Sequence, residues 1–187
     1  YEIPLRLVGS EMCIRDRVSG GIFMNSKKLF IWGFLFVSVI GSLLHFIYEW
    51  SGNNSIVRLF APWNESTWEH MKLLFFPMLV LVLFLFFKLP EQSPIPVALS
   101  IGTLVGLALI PILFYTYTGV LGFSVMAIDI AIFYISVLGV FLTGWFLKDN
   151  RELANRRGLL LTCLVILAIL FFIFSYYPPE IGLFQEP

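Results

Sequence analysis

Leu73-Leu74-Phe75-Phe76-Pro77-Met78-Leu79-Val80-Leu81-Val82-Leu83-Phe84-Leu85-Phe86-Phe87 runs without one charged or hydrogen-bonding side chain. Asn64-Glu65-Ser66-Thr67-Trp68-Glu69-His70-Met71-Lys72 precedes it and Lys88 closes it. A helix rises about 1.5 Å per residue, and a bilayer's hydrocarbon core is about 30 Å thick. A helix over residues 66–88 is therefore long enough to cross, with polar groups at both ends. Lipid is the solvent such a surface needs, because a helix satisfies its own backbone groups there.

Four more stretches qualify on the same grounds. They cover residues 29–48, 95–115, 122–147 and 158–177. Composition agrees. Mean hydropathy is +0.90, and charged residues make up 13% of the chain against roughly 25% in soluble domains. The expected fold is all-α: an integral membrane bundle of five transmembrane helices in a single domain, residues 24–187. A formal net charge of zero gives no general attraction to nucleic acid. Cys13 and Cys163 support neither a disulfide framework nor a thiolate metal site.

Residues 1–17 carry no period that leads into the first helix. Met12-Cys13-Ile14-Arg15-Asp16-Arg17 resembles the translation of a transposon-end sequencing adapter. Residues 1–23 are accordingly expected to be a non-native extension, with Met24 as the native start. Gly20-Gly21 fits a translated ribosome-binding site, which suggests a bacterial gene.

Orientation follows from lysine and arginine. With the N-terminus inside, Lys27, Lys28, Lys88, Lys148, Arg151, Arg156 and Arg157 are cytoplasmic, and only Arg58 and Lys72 are outside. The C-terminus is then outside too, and the expected location is the bacterial cytoplasmic membrane. Glu49, Glu65, Glu69, Glu180 and Glu186 fall on the outer side. So do both histidines, His45 and His70, and Asp129 near the outer end of the fourth helix.

These outer groups are the candidate site. His45 and Glu49 are four apart and share a helix face; imidazole and carboxylate at that spacing can hold a divalent metal or share a proton. Equally, they form an interfacial hydrogen-bonded pair. Ser66-x-x-Glu69 fits a capping box, with Ser66 as N-cap and Glu69 returning to its amide; Asn64 can serve as N-cap instead. Trp63 and Trp68 suit an aromatic belt. Capping leaves a second glutamate, His70 and Lys72 unexplained. A carboxylate such as Asp129 within an apolar helix costs ~2.5–3.5 kcal/mol on insertion scales and calls for a partner. His45, His70, Lys72 or a tyrosine can provide it. The candidate metal ligands are His45, Glu49, Glu65, Glu69, His70 and Asp129, and the donor types suit zinc, iron or manganese.

Phe60-Ala61-Pro62-Trp63-Asn64-Glu65-Ser66-Thr67-Trp68-Glu69-His70-Met71-Lys72, with His45-x-x-x-Glu49 before it and Tyr177-Pro178-Pro179 and Leu183-Phe184 after it, resembles an uncharacterised family of small bacterial multi-pass membrane proteins. That family is known only as a domain of unknown function. The resemblance implies an integral membrane protein and supplies no activity. Trp63 stands where it leads one to expect a small aliphatic residue.

Three functional expectations remain open. One is divalent-cation binding or proton relay in a transporter-like role. Another is an enzyme acting on a lipid-type substrate, with Glu69 as general base and His70 as acid or metal ligand. The last is a structural protein in which the motif only caps a helix, and copies associate through Gly102-x-x-x-Gly106, a spacing that permits close helix approach.

Overall fold

The computed structural model describes residues 25–185. The expected extension at residues 1–23, and Glu186, lie outside the described residues. By compactness the chain divides into Tyr1–Trp32 and Gly33–Pro187. Of the first unit, the described part is the opening of helix α1, where Asn25 Oδ1 accepts the Lys27 amide at 3.0 Å as an N-cap does.

Among the described residues there are five long helices, three short 3-10 turns and no strand. The helices are α1 (Ser26–Trp50), α2 (Thr67–Lys88), α3 (Ile95–Leu121), α4 (Met126–Leu147) and α5 (Arg157–Tyr176). All five helical stretches are long and apolar enough to cross a membrane. Within the main unit, α3 and α4 pack against each other most extensively, α2 packs on α3, and α5 packs on α2 and α3.

Two boundaries differ from expectation, for one reason. The α3 helix does not stop at Tyr115 but continues through Thr116-Tyr117-Thr118 to Leu121. Those threonines do not break the helix, because each hydroxyl donates to the carbonyl four residues back: Thr116 to Ile112 at 2.5 Å and Thr118 to Phe114 at 2.8 Å. The stop is Gly122, left-handed at φ 81, where a side chain would be strained. The α4 helix consequently begins at Met126 rather than 122, and Asp129 sits in its first turn. A carboxylate there faces favourable helix-end charge, so its cost is less than a mid-membrane position implies.

Pro77 and Gly41 together set how α1 meets α2. Pro77 lies inside α2 and has no N–H to give the carbonyl of Leu73. The α1 helix rests on that carbonyl: a Cβ on Gly41 would lie 2.6 Å from Leu73 O. Only glycine permits the approach. One turn further along α1 from this contact is His45, and just before Leu73, α2 carries His70.

The Gly102-x-x-x-Gly106 face, expected to join copies, is occupied within the chain. Gly102 abuts the Val140 carbonyl of α4, and Gly106 lies against Ser136 and Val140.

Candidate metal centre

Ser66 is the N-cap of α2, in extended backbone, and its hydroxyl accepts the Glu69 amide at 3.4 Å. The return half of the capping box is not made by Glu69. The Ser66 amide goes to Asn64 Oδ1 at 3.2 Å, so Asn64 takes the task expected of Glu69. The Glu69 carboxylate is instead 2% exposed and turns to Lys72.

Lys72 is fully buried, at 0% exposure. An ammonium has three donors and no acceptor, and all three are used. Lys72 Nζ donates to Glu69 Oε2 at 2.5 Å, to Ser175 Oγ of α5 at 2.6 Å and to Arg58 O at 3.0 Å. The Ser175 hydroxyl donates in turn to Phe171 O at 2.7 Å. Arg58 donates to Ser175 O at 2.6 Å and lays its guanidinium on the Trp63 ring at 3.8 Å. This network ties three segments together: the 57–59 turn, the start of α2 and the end of α5. Trp68, expected in an interfacial belt, is also buried, at 8% exposure, among Phe171, Phe174 and Phe184. The start of α2 is thus held on one side by a charged clamp and an aromatic cluster.

The opposite side of the same turn carries His70, about 100° round from Glu69. His70 Nδ1 lies 3.0 Å from Ser66 O. A carbonyl only accepts, so Nδ1 bears a proton. Nε2 then faces Glu65 Oε2 at 3.3 Å, with either a proton or a cation between them. Metal-bound histidines characteristically donate their second ring nitrogen to a carbonyl or carboxylate, and Ser66 O is such a partner.

His45 closes the group from α1, its ring centroid 5.4 Å from that of His70. One ligand atom from each of His45, Glu65 and His70 lies within 4.8 Å of the others. Tetrahedral zinc with bonds of ~2.0–2.1 Å separates its ligands by about 3.3 Å. The Glu65–His70 pair is already at that spacing, and His45 needs a small movement. Glu65 is the exposed member and His70 is partly buried, so the group opens toward water. The hydrogen bond from His70 holds the Glu65 carboxyl below the usual carboxylate range. The charges of His70 and His45 act in the same direction, and partial burial opposes them.

The other candidates lie elsewhere. Glu69 belongs to the buried clamp. Glu49 is exposed, one turn beyond His45. Asp129 accepts from the Tyr117 hydroxyl, which itself accepts the Val125 amide at 3.1 Å. Sequence reasoning passed over Arg58 and Ser175, and no local pattern marks them, because their partners lie far along the chain. Lys72 did leave a signal: it is three residues from Glu69 on one helix, a pairing distance.

A family model described as "Family of unknown function (DUF6512)" matches residues 20–187. No curated protein and no solved structure matches the chain. On that match the chain belongs to this family of unknown function, and its five apolar helices make it a multi-pass membrane protein.

Proposed function

We propose that the protein binds a divalent transition-metal cation at His45, Glu65 and His70. It does so on the outer side of a bacterial cytoplasmic membrane, in a transporter-like role. One observation carries the reading: His70 Nδ1 lies 3.0 Å from Ser66 O and Nε2 3.3 Å from Glu65 Oε2, with a ligand atom of His45 within 4.8 Å of ligand atoms on both residues. Two imidazoles and one carboxylate favour zinc, with manganese and iron as weaker fits. The orientation rests on the inward bias of lysine and arginine. A purely capping role accounts for Ser66 and Asn64 and leaves the His45–His70 approach without a purpose.

The test is equilibrium titration of the detergent-purified chain with Zn²⁺ after stripping with chelator. The expected result is one saturable site. Glu65→Gln and His70→Ala each remove a ligand, so each should weaken binding beyond the ~10–100-fold that outer partners cost. Glu69→Gln, outside the site, should bind as wild type does. Equal binding by wild type and His70→Ala would sink the proposal.

Acid adds a signature. The folded Glu65 carboxyl is lower than its unfolded value. Its pairing therefore contributes stability that is fully present above the ordinary carboxylate pKa of about 4.3. That contribution is lost only as pH falls through the lower folded value. Thermal melts across the acid range should show Glu65→Gln lacking this part of the wild-type decline.

A further inference from the structure

The candidate centre has three protein ligands, and a tetrahedral cation takes four. Whether water or protein fills the fourth place separates an open, hydrolytic site from a closed, holding one. The way α1 and α4 pack bears on this.

Their register is set by three contacts. Phe34 meets Phe141 edge-on, with ring centroids 6.0 Å apart. A Cβ on Gly41 would lie 2.6 Å from the Phe133 ring. Ser42 Oγ lies 3.1 Å from Tyr134 OH. As α1 ascends, α4 descends. One turn beyond Ser42, His45 comes level with Asp129. Asp129 lies outside the His45–Glu65–His70 group, and its Oδ1 accepts from the Tyr117 hydroxyl. That hold is itself anchored, since the Val125 amide fixes the Tyr117 oxygen.

We propose that Asp129 is the fourth protein ligand, latched by Tyr117 in the cation-free protein and released to the cation when it binds. This rests on the cation-binding reading above and deepens it. A carboxylate rotating about its own side-chain bonds from a phenol hydroxyl to a cation exchanges a hydrogen bond for a coordination bond. The Tyr117 hydroxyl keeps its proton and turns to water, so no proton is left over. The resulting site is closed, with two imidazoles and two carboxylates drawn from α1, α2, α4 and the loop before α2. A closed set holds, senses or passes on a cation, and leaves no position for an activated water.

The latch makes the two members of one hydrogen bond act in opposite directions. Asp129→Asn removes the fourth ligand and should weaken Zn²⁺ binding by about 10-fold or more. Tyr117→Phe frees Asp129 and should tighten it. A merely structural pair would give changes of the same sign, both loosening the α3–α4 turn. The measurement is Zn²⁺ titration of wild type, Asp129→Asn, Tyr117→Phe and Glu65→Gln, all as full chains in the same detergent. Weakened binding in Asp129→Asn with tightened binding in Tyr117→Phe is the expected pattern. If Asp129→Asn matches wild type while Glu65→Gln loses binding, the three-ligand centre stands and the Asp129 proposal falls. Weakening in both latch variants assigns the pair to scaffolding and overturns the proposal as well. No saturable Zn²⁺ binding by wild type rejects both readings together.

Discussion

Lys72→Met is expected to cost about 3–5 kcal/mol of stability, because it strands the buried Glu69 carboxylate without its partner. Methionine matches lysine in length and keeps the apolar stem packed, so the loss isolates the ammonium. Three acceptors lose their donor at once: Glu69 Oε2, Ser175 Oγ and Arg58 O. Among the described residues, the only other donor to Glu69 Oε2 is the Trp63 amide at 3.4 Å, too long to compensate. Adding Glu69→Gln to Lys72→Met should recover part of the loss, since replacing both members removes the stranded charge. Glu69→Gln alone leaves the ammonium facing an amide oxygen that still accepts, so it should cost less than Lys72→Met. Thermal melts in one detergent, read as a double-mutant cycle, measure the coupling. Equal melting temperatures for wild type and Lys72→Met would mean that the network contributes nothing. Zn²⁺ affinity separates the roles. Had Glu69 been a ligand or a general base, its loss would act on binding or reaction first; as part of the clamp, it acts on stability first.

The clamp shows where a sequence stops being legible. Five apolar stretches can be read directly, because lipid imposes a minimum length and forbids unpaired backbone. The Ser66 cap was legible for the same kind of reason: it is local. The fate of Glu69 was not, since two local partners competed for it. Asn64 took the Ser66 amide, and Lys72, backed by Ser175 from a helix far along the chain, took the carboxylate. Trp68 misled in a similar way. A tryptophan near a membrane surface suits the interface, but the rings of Phe171, Phe174 and Phe184 cover this one. The end of α3 was misplaced because threonine and glycine read as a turn. In lipid, the threonine hydroxyls return to their own helix. The grouping of both histidines at one end was legible from topology. Glu65 as their shared partner, in preference to Glu49 or Glu69, required the register that Gly41 and Pro77 impose.

Gly102→Val is expected to destabilise at or above the upper end of the ~1–3 kcal/mol usual for overpacking. The obstacle at Gly102 is the Val140 carbonyl, with the Val140 carbonyl carbon 3.1 Å and its Cα 3.3 Å from the added Cβ position. A side chain can rotate away from a new methyl; a helix backbone cannot, so α3 and α4 must separate along their tightest seam. Gly119→Val is the matched control. It lies on the same helix with nothing within 4 Å of an added Cβ, and valine and glycine differ little in helix propensity, by about 0.5 kcal/mol or less. A lower melting temperature for Gly102→Val and a near-neutral one for Gly119→Val would fit a seam inside one chain. The same pair of variants addresses association between copies. If the Gly102–Gly106 face joined two chains, valine there would dissociate an oligomer and leave the monomer's melt untouched. With the face filled by Ser136 and Val140 of the same chain, the mass measured by light scattering should stay constant while the melt falls.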